Sequence, residues 1–195
     1  QVVVRSEGVS AHGAAPEKGV NAVYPMAKVI ERVERRNLEL SEGPAPRGTL
    51  ALTRIASEAV SLNAVPSACE LYLDRRLAPG ESEEAVRAEF DALVEGTGAR
   101  WEPGTLHRKT WTGLEVEYVP FHAAWRLPDD APLALAFTAA RAEVLGPDGR
   151  GFGFWDFSTN AVSTVRLGIP TIGFGPGDFA RAHMRDERCP VAEIE

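Results

Sequence analysis

The sequence predicts an α+β fold: a β-α-β-β-α-β unit closed in the ferredoxin-like manner, followed by a piece of an α/β sheet. Three observations predict it. In the first hundred residues, apolar runs of period two surround two stretches of helical period. Their order lets two helices lie on one face of a four-stranded antiparallel sheet. After residue 112 the composition changes, and strand, helix and buried strand alternate. The domains are therefore expected at 1–112 and 113–195.

Each element has its own signal. Val2-Val3-Val4 opens a strand that ends near Val9. A helix is expected from about Asn21, which is placed to cap it. Its apolar face would be Val23, Met26, Ala27, Ile30 and Val33, three or four residues apart. Pro25 falls near the first turn, where a missing N–H costs least. Residues 41–48, with Gly43, Pro44 and Pro46, read as a loop, and residues 49–56 and 68–76 as strands. The second alternates, with Cys69, Leu71 and Leu73 on one face and Glu70, Tyr72 and Asp74 on the other. Ser82 is set to cap a second helix, and Glu83 and Glu84 suit the positive end of its dipole. Val86, Phe90, Leu93 and Val94 give that helix its stripe, Gly96 ends it, and residues 99–110 supply the fourth strand.

The second part is read in the same way. Residues 113–126 show little periodicity. Asp129-Asp130-Ala131-Pro132 starts a third helix, with Leu133, Phe137, Ala140 and Val144 as its stripe and Gly146 as its stop. Residues 152–155 read as a short strand and Ser158-Thr159-Asn160 as the cap of a brief helix. Residues 169–174 read as a buried strand running into Gly175-Pro176-Gly177.

Bulk properties exclude several function classes. The 195 residues carry 21 Lys and Arg against 28 Asp and Glu, a formal charge of −7, with no block of like charge. A nucleic-acid partner needs a clustered basic face, which is absent. No apolar stretch approaches the ~18 residues of a membrane span, so a membrane partner is not expected. Cys69 and Cys189 lie far apart without a Cys-x-x-Cys spacing, the pattern of a reduced, cytoplasmic protein. The chain opens at Gln1 inside a β pattern, without Met or leader, and reads as a segment of something longer.

The stretch Ser10 to Ala22 puts His12 in a loop of small residues between a strand and a helix. A stiff loop at a strand end holds an imidazole where a substrate group can reach it, although a solvated loop histidine has the same pattern. A second signal lies far along the chain, in Gly173-Phe174-Gly175-Pro176-Gly177 followed by His183-Met184-Arg185-Asp186-Glu187.

Together these segments resemble the co-catalytic zinc aminoacylase and metallopeptidase family of acetylornithine deacetylase, succinyl-diaminopimelate desuccinylase and carboxypeptidase G. Ser10-Ala11-His12, Pro16 and Gly19 to Ala22 resemble the opening of its lid. Asn63-Ala64-Val65-Pro66 resembles the Asn-x-x-Pro turn, Asp74-Arg75-Arg76 the Asp-x-Arg strand end, and Phe174 to Gly177 with His183 and Glu187 the returning catalytic segment. The resemblance implies a β-α-β-β-α-β lid that also dimerises, followed by the C-terminal portion of an α/β zinc-hydrolase catalytic domain. The substrate it implies is a small N-acyl amino acid or peptide cleaved at its amide bond.

It also implies roles. His183 would hold one metal of a two-metal site, zinc with cobalt or manganese as substitutes, while Glu187 would orient the loop or cap the helix that follows. His12 would cross a homodimer interface to stabilise the oxyanion. Asn63 and Arg76 would grip the substrate carboxylate: neighbours on a strand face opposite ways, so only one of Arg75 and Arg76 should reach the site, and the Asp-x-Arg spacing favours Arg76. Asn160 and the N–H groups of Gly175 and Gly177 would bind the scissile group or carboxylate. A turn residue before Pro66, a helix cap and a tight turn account for Asn63, Asn160 and the glycines equally well. The family's His-x-Asp pair and Glu-Glu pair are expected before residue 1, which would leave these residues inactive alone. The alternative is a non-catalytic dimerisation and ligand-binding module, for which an exposed edge strand is suited.

Overall fold

In the computed structural model, which describes residues 1–43, 45–119, 121–147, 151–155 and 157–194, strands β1 (Val2–Glu7), β2 (Thr49–Glu58), β3 (Ala68–Arg76) and β4 (Arg100–Pro103) form one sheet. Their order is β2-β3-β1-β4, with every pair antiparallel. Helices α1 (Val23–Glu42) and α2 (Glu83–Val94) supply the crossovers. Register follows the alternation of side chains. Val2 faces Leu73, Val4 faces Leu71 and Ser6 faces Cys69, so one row of each strand points into the core. A bulge at Thr53 shifts the β2 register, and its hydroxyl donates to the Tyr72 carbonyl at 3.0 Å.

On α1 the buried positions are Met26, Val29 and Val33, continuing from Ala22. Ala27, expected on that face, is exposed, and Val29 takes its place one step round the helix. Asn21 does not cap. Its Oδ1 accepts from the Val23 N–H at 2.9 Å, an Asx turn one residue too early, and Ala22 occupies the cap position. On α2 the Ser82 hydroxyl accepts from the Ala85 N–H at 3.2 Å, and Phe90 and Leu93 are buried. Arg32 of α1 donates to the carbonyls of Ala92, Leu93 and Glu95 at 3.3, 3.0 and 2.7 Å, satisfying acceptors that the helix end leaves open. The Phe90 ring lies 5.3 Å from that of Trp101 on β4.

The inward row of β3 ends in a charge. After Cys69, Leu71 and Leu73 comes Arg75, whose side chain is 2% exposed. Its guanidinium binds Glu89 at 2.9 Å and also Glu81, and donates to the Arg76 carbonyl. Burial works against the charged form, but the two carboxylates outweigh it and keep the Arg75 pKa above its usual value.

The expected fourth strand, 99–110, is broken after Pro103. The Gly104 N–H closes on the Gln1 carbonyl at 2.9 Å, and the chain turns into a separate hairpin of β5 (Leu106–Lys109) and β6 (Glu115–Tyr118). Its loop is fixed by Thr110, whose N–H donates to the Leu114 carbonyl at 2.8 Å, and by Gly113 at φ +87°. Four alternating residues were too few to stand out from residues 113–126.

The chain divides into two compact units, Gln1–Ala124 and Trp125–Glu195. In the second, α3 (Pro132–Leu145) begins with proline at its first position and stops before Gly146 at φ +81°. Its buried residue is Ala134, while Leu133 and Val144 are exposed, contrary to the expected stripe. The helix is apolar on nearly every side, so periodicity does not choose a face. Phe137 packs 5.9 Å from Phe152 and 5.3 Å from Phe174. A short α4 (Ala161–Arg166) follows, its first N–H held by Thr159 Oγ1 at 3.2 Å. Residues 152–155 and 169–174 are not strands, and Ile169 and Phe174 are exposed. Neither run pairs with another described segment, and a strand exists only with a partner for its N–H and C=O groups.

Candidate functional site

Chain geometry brings two of the motifs together at one edge of the first unit. Beyond β1 the two legs of the His12 loop touch backbone to backbone, with Val9 and Val20 exchanging hydrogen bonds of 2.8 and 2.9 Å. A Cβ at Gly8 would lie 2.1 Å from the Val20 carbonyl oxygen, and one at Gly19 would lie 2.5 Å from that of Val9. Only glycine permits this approach. Between the legs, Pro16–Lys18 forms one turn of 3-10 helix.

The tip of the loop is pinned to the segment after β2. The Gly13 N–H donates to the Asn63 carbonyl at 2.6 Å and the Val65 N–H to the Ala11 carbonyl at 2.8 Å, so His12 stands opposite Ala64. Asn63 and Leu62 are the central residues of a turn closed from the Ala64 N–H to the Ser61 carbonyl at 3.1 Å. The Asn63 N–H also reaches Ser61 Oγ at 3.3 Å. His12 and Asn63 are both exposed on this edge. The Ala14 N–H donates to His12 Nδ1 at 3.0 Å. A nitrogen that accepts carries no proton, so a neutral ring holds its proton on Nε2 and presents a donor there.

Arg76 is elsewhere. It ends the outward row of β3, exposed, with its Nε 2.7 Å from Asp74 Oδ1. Nine residues of strand separate that end from the turn carrying Asn63, roughly 27 Å of rise. Within one chain, then, His12 and Asn63 share an edge and Arg76 does not. Between the two ends the outer sheet face is a polar lattice. Arg5 Nε donates to Glu70 at 2.6 Å and Tyr72 OH to the same carboxylate at 2.8 Å, which together hold the Glu70 carboxyl below the usual range. Arg54 stacks 5.2 Å from the centre of the Tyr72 ring.

In the second unit His183 adopts φ +64°, the left-handed region that non-glycine residues seldom enter. Its N–H donates to a Glu187 carboxylate oxygen at 3.0 Å, and Arg181 pairs with Asp186 at 2.8 Å beside it. The Gly177 N–H donates to the Glu193 carboxylate at 2.8 Å, so an internal anion already takes the donor expected for a ligand. Gly175 is exposed. Asn160 heads α4 through its carbonyl, which accepts from the Ser163 N–H at 3.0 Å, and its side chain makes no cap. Among the described residues no three His, Cys, Asp or Glu side chains converge. One imidazole does not make a zinc site, which takes four ligands. No helix among the described residues is long and apolar enough to cross a membrane.

Reading the sequence passed over the groups that hold the first edge in place, Ser61, Gly13 and the Ala14 N–H. A main-chain donor has no residue-type signature.

Comparison with known proteins agrees with the architecture. A family model described as the peptidase dimerisation domain matches residues 1–102. The Escherichia coli K12 protein YgeY is 33% identical over 192 residues, covering 96% of this chain and 47% of its own length. Succinyl-diaminopimelate desuccinylase of Corynebacterium glutamicum is 28% identical over 203 residues, covering 100% of this chain and 48% of that protein. Among solved structures, aminopeptidase PepT from Bacillus cereus superposes with a TM-score of 0.59 at 22% identity, over 91% of this chain and 43% of that one, a likeness of fold. The chain thus spans about half the length of the curated relatives it matches. With more than half of its residues matched by that model, the chain belongs to the M20 peptidase dimerisation-domain family.

Proposed function

We propose that residues 1–112 are the ferredoxin-like lid and dimerisation domain, and residues 113–195 the C-terminal part of the catalytic domain, of a metal-dependent hydrolase. Its reaction is cleavage of the amide bond of a small N-acyl amino acid or peptide, in the cytoplasm, by a homodimer. The observation that carries the reading is His12, held by the Ala14 N–H so that a neutral ring offers Nε2–H outward from an edge shared with Asn63. A fixed donor aimed at an oxyanion is worth about 3–4 kcal/mol in comparable sites.

His12 would donate to the carbonyl oxygen as it gains charge, and Asn63 beside it would hold the substrate carboxylate through its amide N–H. The distance along β3 keeps Arg76 of the same chain from that ligand. Arg76 would instead meet the ligand of the other site in a two-fold dimer, where its planar fork suits a carboxylate. Asn160, Gly175 and Gly177 would bind the scissile group or carboxylate, with Gly177 giving up its bond to Glu193. His183 would supply one ligand to the metal, zinc in the first instance, and Glu187 would keep the loop in its left-handed turn. A divalent metal held there polarises the carbonyl and lowers the pKa of water. The other ligands and the base would come from the part of the relatives' length that these residues do not span.

Mixed dimers test this reading in the complete protein. His12→Ala and His183→Ala should each abolish most amidase activity. An equal mixture, unfolded and refolded together, should recover about a quarter of the parent activity, because half the dimers hold one site with both histidines. No recovery from two folded, dimeric variants would sink the crossed arrangement, and full activity of His12→Ala would sink the oxyanion role.

A further inference from the structure

We infer that Leu62 is a specificity-determining residue that selects ligands whose amino-acid side chain is apolar. The inference rests on the proposed role of His12 and Asn63 in binding that ligand. Leu62 is 105% exposed and sits with Asn63 at the centre of the Ser61–Ala64 turn. Such positions favour Gly, Asn, Asp, Ser or Pro, each for a backbone reason. Leucine offers the turn nothing. Its side chain has no contact to gain from the sheet below, yet burying it elsewhere is worth about 1.5–3 kcal/mol.

The turn does not swing freely. Its carbonyl at Asn63 is held by the Gly13 N–H at 2.6 Å and its amide at Asn63 by Ser61 Oγ at 3.3 Å, while the Val65 N–H fixes the strand side at 2.8 Å. Leu62 is therefore presented at a set place, one residue from Asn63 and across a main-chain bond from the His12 loop. A ligand carboxylate held by the Asn63 side-chain amide would bring its α-carbon toward Leu62, the adjoining residue of the turn. The substituent on that carbon meets a branched alkyl group, with exposed Val60 two residues away. A polar substituent there would lose water without gaining a partner, which discriminates against it.

The test uses the near-isosteric pair leucine and asparagine in both enzyme and substrate. In the complete protein, kcat/KM is measured for N-acetyl-leucine and N-acetyl-asparagine with the parent, Leu62→Asn and Leu62→Met. The parent should favour N-acetyl-leucine, Leu62→Asn should reduce that preference roughly tenfold, and Leu62→Met should retain it, in line with the value of one apolar contact in a pocket. An unchanged preference in Leu62→Asn overturns the proposal. Equal loss on both substrates with weaker dimerisation in sedimentation also overturns it, and assigns Leu62 to the contact between copies. His12→Ala measured alongside reports on the site itself: if that variant keeps full activity, the parent reading fails whatever Leu62 does.

Discussion

The main-chain N–H of Gly13 donates to the Asn63 carbonyl at 2.6 Å, and this bond joins two loops far apart in sequence. It is made between backbones, so it depends on residue 13 lacking a side chain. A Cβ there would lie 2.8 Å from the Asn63 carbonyl oxygen.

Gly13→Val should separate the two loops. The cost in stability should be about 1–3 kcal/mol, since backbone must move and a hydrogen bond is lost. Hydrogen exchange locates the effect: the Gly13 and Val65 amides should lose protection while those of β1 and β3 keep theirs. Unaltered protection at both amides would show that the loops do not depend on this contact.

Arg75 is a larger liability. Its side chain is 2% exposed and that of Glu89 11%, so removing the cation takes from one nearly buried carboxylate its closest partner, and from Glu81 its ion pair. Arg75→Met should destabilise the first unit by about 3–5 kcal/mol in urea unfolding. Adding Glu81→Gln and Glu89→Leu should restore much of that, because the penalty lies in the orphaned charges. A loss below 1 kcal/mol for the single variant would mean that Glu89 is satisfied by Arg36, 3.3 Å away.

Acid should weaken the outer face of the sheet. Arg5, then Tyr72, hold the Glu70 carboxyl below its usual range. Between that lowered value and the ordinary one, the unfolded chain binds the proton more readily, so stability rises with pH across the window. The Glu70 contribution is present above the ordinary carboxylate range and disappears as pH falls through the folded-state value. Glu70→Gln should therefore lower the urea midpoint at neutral pH and match the parent once the pH has fallen below the folded-state value. A gap that stays constant with pH would assign the loss to packing.

Zinc should bind these 195 residues weakly. His183 stands on an exposed turn, and no three ligand-type side chains converge among the described residues. Calorimetric titration should give a dissociation constant above ~1 μM, unchanged by His183→Ala, far short of a four-ligand structural site. Sub-micromolar binding lost in His183→Ala would overturn the single-ligand reading.

Legibility in the sequence followed how local each cause was. The β3 boundaries were readable because alternation with one buried face fixes a strand residue by residue, and Ser82 marked α2 because a cap acts three residues away. Asn21 misled because the same side chain serves a cap or an Asx turn, and only the chain's direction at Ala22 decides. The face of α3 was hidden because Leu133, Leu135, Val144 and Leu145 leave no polar side for contrast. Residues 169–174 have strand composition, but pairing is a property of two segments. The motifs holding His12 and Asn63 were visible singly, while their contact runs through main-chain groups that no residue type announces. Arg76 was readable as the outward arginine of its pair, but not as standing a strand's length from Asn63.

That strand length acts as a ruler. Its spacing from the Asn63 turn to Arg76 is quantised by the pleat, so it can change only in steps of about 3.3 Å, and every odd step exchanges the two faces. Inserting one residue into β3 would turn Arg76 toward the helices and Arg75 toward solvent, undoing the core charge and the exposed one together. Inserting two would keep both faces and move Arg76 outward by about 7 Å. Variation in the reach between the two ends is thus confined to even insertions, and the Arg75-Glu89 clamp resists even those.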